Sequence, residues 1–167
     1  HIDLSINSPS NEPLRLIVAY RPQRLLNKKP TATLFMQEFS TLLEHIVHDA
    51  NHIMIAGDFN FHIDNRSDRE ALTFCELLES TGLKQHVSGP THREGHTLDL
   101  LLTRSSDSFI SHLTTCDYMP SDHACVICKL GIGRLAAVNV NVQTRKFCDI
   151  NLDVFRRDIL NSPMCSS

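Results

Sequence analysis

Ile53-Met54-Ile55-Ala56-Gly57-Asp58-Phe59-Asn60 is the stretch on which the reading of this chain turns. Its first four residues make a short, wholly apolar run bounded by a turn signal, the pattern of a strand buried on both faces. Such strands belong to α/β sheets, whose ligands sit beyond the carboxyl ends of the strands. Gly57, Asp58 and Asn60 occupy that end. Gly57 permits a sharp turn or a close backbone approach. Asp58 offers an anionic oxygen to a divalent cation or a water proton, and Asn60 an amide that can orient a nucleophile or a phosphate oxygen. The plainer reading is an Asx-rich turn after a strand.

Downstream, residues 61–65 read as a loop and residues 69–80 as an amphipathic helix, with Gly82 as its C′ residue. A short strand at 84–87 is broken by Ser88-Gly89-Pro90. The polar loop 91–96 carries His92, Arg93 and His96; Gly95 and the preceding proline argue against a helix, and so against a zinc pair. Residues 97–103 read as another buried strand with Asp99 set inside it, where a carboxylate is costly unless paired or hydrogen-bonded. A strand at 110–115, a loop at 119–123 holding Asp122 and His123, and a strand at 124–130 follow.

Upstream, Ile2, Leu4 and Ile6 alternate with polar residues, 7–13 is turn chemistry, and 14–20 is the second arm of a hairpin. Tyr20 ends that arm. Arg21, Gln23, Arg24, Lys28 and Lys29 follow it; the basic ones read equally as a solvated loop or as a phosphate-contacting loop at a site mouth. Residues 34–48 have helical periodicity, and His45, His48 and His52 suit a helix end better than a metal. Beyond residue 130 the character changes: Val138, Val140 and Val142 alternate as a strand, and 151–160 reads as a charged helix. We expect residues 1–130 to form the domain and 131–167 a linker or tail.

Composition bounds the function. The 167 residues are 41% hydrophobic and 21% charged, enough for one domain with a sizeable core. No apolar run approaches the roughly 20 residues of a membrane span, so no membrane partner is expected. The net charge of −3 excludes a general polyanion-binding surface and leaves only a local basic patch for nucleic acid. Six scattered cysteines in a chain of this size read as reduced, which suggests an intracellular protein. Cys125 and Cys128 stand three apart in a strand pattern and face opposite sides, a poor zinc pair. A start at His1, directly in a strand pattern, suggests a piece of something longer.

Four strand-end or loop sites thus offer Tyr20, Asp58 with Asn60, Asp99, and Asp122 with His123. A buried Asp99 can hold the imidazole of His123 in one tautomer and stabilise its charged form. Asp122 then faces a divalent metal. Metal-assisted attack on a phosphodiester needs these parts.

Tyr20-Arg21-Pro22, Gly57-Asp58-Phe59-Asn60, Leu98-Asp99-Leu100-Leu101-Leu102-Thr103 and Ser121-Asp122-His123 resemble successive motifs of the endonuclease/exonuclease/phosphatase superfamily. Thr91-His92 and Gly95-His96-Thr97-Leu98-Asp99-Leu100 bring the resemblance closer to the apurinic/apyrimidinic-like endonuclease domain of non-LTR (LINE-type) retrotransposons. The resemblance implies a two-sheet α/β sandwich with the site at the sheets' loop ends, truncated here in its N-terminal half. It implies Mg2+ (or Mn2+) as cofactor, DNA as substrate, a nuclear site of action, and a reverse transcriptase region downstream of the tail. Tyr20 would contact the scissile phosphate or help orient the nucleophile. Asp58 would position or deprotonate the attacking water, or serve as a metal ligand, and Asn60 would help to hold the water or the phosphate. Asp122 would ligate magnesium, and His123, paired with Asp99, would act on the phosphate. Arg21, Gln23, Arg24, His92 and Arg93 would contact DNA. One departure stands out: the family's principal metal ligand, an upstream Glu, has no counterpart, since Glu12 sits in a turn. The alternatives are a catalytically dead remnant serving as a nucleic-acid or protein-binding module, and a phosphatase or phospholipid phosphodiesterase on the same fold.

Overall fold

The computed structural model describes residues 1–7, 13–22, 31–46, 48–49, 51–116, 121–132 and 151–162. Gln23, Arg24 and the expected strand around Val138, Val140 and Val142 lie outside them. The elements run β1 (Ile2–Ile6), β2 (Leu14–Tyr20), α1 (Ala32–Ile46), β3 (His52–Asp58), α2 (Arg69–Ser80), β4 (Leu83–Gln85), β5 (Asp99–Arg104), β6 (Ile110–Cys116), β7 (Cys125–Leu130) and α3 (Leu152–Leu160). Backbone contacts divide the chain into His1–Leu135 and Ala136–Ser167; α3 belongs to the second unit, capped by Asn151 Oδ1, which accepts from the amides of Asp153 and Val154.

Five strands form one sheet in the order β1-β2-β3-β5-β4. The β2–β3 pair is parallel, joined through α1; the other pairs are antiparallel. Because successive residues of a strand face opposite sides, β3 serves two cores. Ile53 and Ile55 join Ile17, Leu100 and Leu102 beneath α1 and α2, while Met54 joins Leu14 and Leu101 against β6 and β7. Both flanking layers are therefore needed to bury the apolar run, and the result is the expected two-sheet α/β sandwich.

The helices start where side chains cap them. Thr31 Oγ1 accepts from the Leu34 amide at 3.2 Å, so α1 begins two residues earlier than periodicity alone indicates. Asp68 Oδ1 accepts from the amides of Glu70 and Ala71, and Gly82, at φ +69°, follows the end of α2.

Two expectations shift. His52 opens β3, with Nδ1 3.3 Å from Asp107 Oδ1, rather than capping α1. Asp99 starts β5 rather than lying within it. The preceding amides of Thr97 and Leu98 are taken by Asp64 Oδ1 and Thr91 Oγ1, which also accepts from Asp99, so the ladder begins there. The Asp99 side chain keeps 24% of its surface exposed instead of being sealed in the core.

Candidate functional site

Register places the site. In the sheet, Tyr20 pairs with Asp58 across the parallel β2–β3 ladder, and Asp58 pairs with Asp99 across the antiparallel β3–β5 ladder. Directly opposed residues share a sheet face. Tyr20, Asp58 and Asp99 therefore form one row at one end of the sheet, on the side of Met54 and Leu101, where β6 and β7 pack. Tyr20 is 66% exposed at the end of that row.

Gly57 makes the row possible. A Cβ there would come within 1.8 Å of the Ala19 carbonyl oxygen, and its φ of +151° is one that side chains disfavour. The chain then turns through Phe59-Asn60-Phe61. Both phenylalanines are buried among Phe35, Phe39 and Phe74, each contributing about 1.5–3 kcal/mol of burial. Between these anchors Asn60 adopts φ +51°, a left-handed conformation that asparagine tolerates. Its Nδ2 donates to Asp58 Oδ2 at 2.8 Å and to the Arg21 carbonyl at 2.6 Å, and its amide donates to Asp58 Oδ1 at 3.1 Å.

Arg21 sits inside this arrangement. Its guanidinium donates to the carbonyl of Asn60 at 2.7 Å and of Phe59 at 3.3 Å, and lies 3.9 Å from the Phe61 ring centroid. The sequence left Arg21 either in a solvated loop or at a phosphate-contacting mouth; the structure turns its charge onto the loop that carries Asn60.

The second sheet brings the remaining groups. Residues 121–124 lead into β7 and are tied to the 91–96 loop: the Arg93 amide donates to the Asp122 carbonyl at 2.8 Å, the Ala124 amide to the Thr91 carbonyl at 2.7 Å, and His92 and His123 form an isolated β-bridge. His123 Nδ1 lies 2.8 Å from Asp99 Oδ2. The pairing read from the sequence is thus present in the geometry, and it crosses from one sheet to the other. Arg93 donates from its guanidinium to the Ser121 carbonyl. His92, only 8% exposed, turns Nε2 to within 3.4 Å of Asp122 Oδ2, and Asp122 itself is 64% exposed.

Electrostatics follows the same row. Burial, then the charge of Asp99, push Asp58 above the usual carboxylate range, against the opposing hydrogen bonds of Asn60 and the charge of His123. Burial pulls His123 down, but the Asp99 hydrogen bond and the charges of Asp99, Asp58 and Asp122 outweigh it, and the imidazole is held above its ordinary 6.5. Asp122 is held below the carboxylate range by its own backbone amide and by His92. The site thus favours a charged imidazole beside a carboxylate with raised proton affinity.

Sequence reasoning missed two parts. Thr91 Oγ1, fully buried, fixes the backbone of Asp99. Asp64 accepts from the Thr97 amide at 2.9 Å and lies 3.1 Å from His96 Nδ1, while the His62 and His96 rings stack at 4.0 Å, clasping the loop after β3 to the 91–96 loop. The Asp64 clasp has no local signal, because it joins segments 32 and 33 residues apart, whereas Thr91 reaches only seven and eight residues ahead, across a polar loop that has no periodic pattern. Among the described residues, three metal-ligating side chains converge within 4.8 Å of one another: His92, Asp122 and His123.

Residues 14–127 match a family described as endonuclease-reverse transcriptase. Among solved structures, the chain is similar to the endonuclease domain of TRAS1, a telomere-specific non-LTR retrotransposon, at 14% identity and a TM-score of 0.57. The match covers 78% of this chain and 62% of that one, so the chain spans somewhat less than two thirds of the TRAS1 domain. At that identity the likeness is one of fold. A comparison with curated proteins gave no match.

Proposed function

The chain belongs to the endonuclease-reverse transcriptase family, and from that premise we propose that it hydrolyses the phosphodiester backbone of DNA, leaving a nick. The observation that carries this reading is the row Tyr20–Asp58–Asp99 met from the other sheet by His123, 2.8 Å from Asp99. Asp58 takes a proton from the attacking water, which Asn60 helps to hold. Its raised proton affinity suits that task better than an ordinary carboxylate would. His123, kept charged and oriented by Asp99, lies against the phosphate as negative charge develops. Tyr20, exposed at the end of the row, contacts the phosphate.

Magnesium is the cation that the resemblance implies. It binds through one or two carboxylates together with substrate phosphates and water. Asp122, exposed and held below the usual carboxylate range by its own backbone amide and His92, fits as such a ligand. Asp58, engaged on both oxygens by Asn60, fits less well. The cation would neutralise charge on the phosphate oxygens. Among the described residues Asp122 is the one carboxylate of this site that fits as a ligand, so the cation would be held weakly. Arg93 and the segment holding Gln23 and Arg24 serve as DNA contacts, and residues 131–167 connect the domain toward a reverse transcriptase region. Such an activity operates in the nucleus.

The test is conversion of supercoiled plasmid to the relaxed form in magnesium. Asp58→Asn should slow nicking by about 10²–10⁴-fold, the range of general-base catalysis. Undiminished nicking by that variant would remove Asp58 from the chemistry.

A further inference from the structure

The His92–Asp122–His123 cluster has a composition that magnesium chemistry does not use. Two imidazoles and one carboxylate suit zinc and neighbouring borderline cations, whereas magnesium selects oxygen. Ligands about 2.05 Å from a tetrahedral centre stand about 3.3 Å apart. His92 Nε2 and Asp122 Oδ2 are 3.4 Å apart, long for a charge-assisted hydrogen bond but close to that edge length. His123 is prepared in the way metal-binding histidines are: Asp99 takes Nδ1, which leaves Nε2 as the ligand. The backbone is fixed as well, since the Arg93 and Ala124 amides and the His92–His123 bridge hold the two loops in register. The exposed Asp122 side chain is free to adjust toward a cation held by the two imidazoles, the three ligand atoms already lying within 4.8 Å of one another. The Glu94 amide, which donates to His92 Nδ1 at 3.3 Å, must yield, because that nitrogen must take the ring proton when Nε2 binds a cation.

We propose that His92, Asp122 and His123 form a site for zinc-class divalent cations, and that filling it blocks the hydrolytic site. The blocking half rests on the function proposed above. Bound at Nε2, the cation occupies the nitrogen with which His123 meets the phosphate, and at Asp122 it displaces magnesium.

The experiment titrates Zn2+ into the metal-stripped full chain by calorimetry, with and without excess magnesium, and repeats it with Co2+ by absorbance. The expected result is one equivalent bound in the presence of magnesium. Asp122→Asn and His92→Gln should each weaken it by about 10-fold or more, and Asp99→Asn by about 10-fold through the lost orientation of His123. Asp122 is exposed, so its variant keeps the assay interpretable if His92→Gln misfolds. Cys116 and Cys125 face each other across β6 and β7 and are exposed, an alternative zinc pair. Binding that survives both Asp122→Asn and His92→Gln, or is lost in Cys116→Ser with Cys125→Ser, overturns the proposal, as does no binding. In the parallel nicking assay, zinc should inhibit the magnesium-supported reaction. Nicking unaffected by bound zinc overturns the blocking half. A chain that never nicks overturns the proposed function and with it the blocking half, while the titration still decides the cation site.

Discussion

At the scale of single residues, the site depends on how Asp99 divides its influence. Its charge raises the proton affinity of Asp58 and, with its hydrogen bond, that of His123. If Asp58 acts ionised and His123 acts charged, the pH–rate profile is bell-shaped, with its acid limb above 3.8 and its alkaline limb above 6.5. Asp99→Asn removes the support of both. The alkaline limb should move to lower pH as His123 loses its proton sooner, and the acid limb should move down as well. An alkaline limb that stays in place would show that His123 titrates independently of Asp99. The same shift carries stability. The folded-state value of His123 is raised, so its contribution is full below pH 6.5 and disappears as pH rises through the raised value. Denaturation of wild type against Asp99→Asn at two pH values reads that difference. Arg21 belongs to this scale too. With two carbonyls and the Phe61 ring as partners, Arg21→Met should lower stability by about 1.5–3 kcal/mol, measurable in urea.

At the scale of elements, β3 and the turn after it carry the account. Gly57 lies against Ala19, and a methyl there meets backbone rather than a yielding side chain. Gly57→Ala should cost about 1–3 kcal/mol from overpacking, read as a lower urea midpoint at unchanged slope; an unchanged midpoint would mean that β2 and β3 can separate freely. The elements were largely legible in the sequence, because apolar run length and helical periodicity report burial directly. That held for β3, α2, β6 and β7. The edges were less legible. β5 starts two residues late because Asp64 and Thr91 take the amides that would have extended it. α1 starts early because Thr31 caps it. Arg21 misled for a related reason: charge pattern says that a guanidinium needs oxygen partners, and here the oxygens are the carbonyls of a loop thirty-eight and thirty-nine residues away. His92 was legible as a site residue only through its neighbours; its approach to Asp122 depends on the fold bringing two loops together.

At the scale of the whole molecule, the sheets set which groups can meet. The row on the main sheet is complete with Tyr20, Asp58 and Asp99, and the segment leading into β7 supplies Asp122 and His123. The motifs were readable one by one, and their order along the chain pointed to their family, but only the register of β2, β3 and β5 brings into one row residues nearly eighty positions apart, Tyr20 and Asp99 on either side of Asp58. Along the β1 edge the apolar face is open, with Ile2 60% and Leu4 49% exposed. Lysine is a common guard of sheet edges, so Leu4→Lys should change stability by no more than about 0.5 kcal/mol while reducing association in light scattering. A large loss of stability would place Leu4 in a packed interface instead.

The central claim is that residues from both sheets act as one hydrolytic unit. Plasmid nicking rates for the chain, for Asp58→Asn, for His123→Ala and for the double variant test it most directly. Groups that act together are strongly non-additive. The account predicts a loss of about 10²–10⁴-fold in each single variant and little further loss in the double. Losses that multiply in the double variant, or a His123→Ala protein that nicks as fast as the chain, would contradict it.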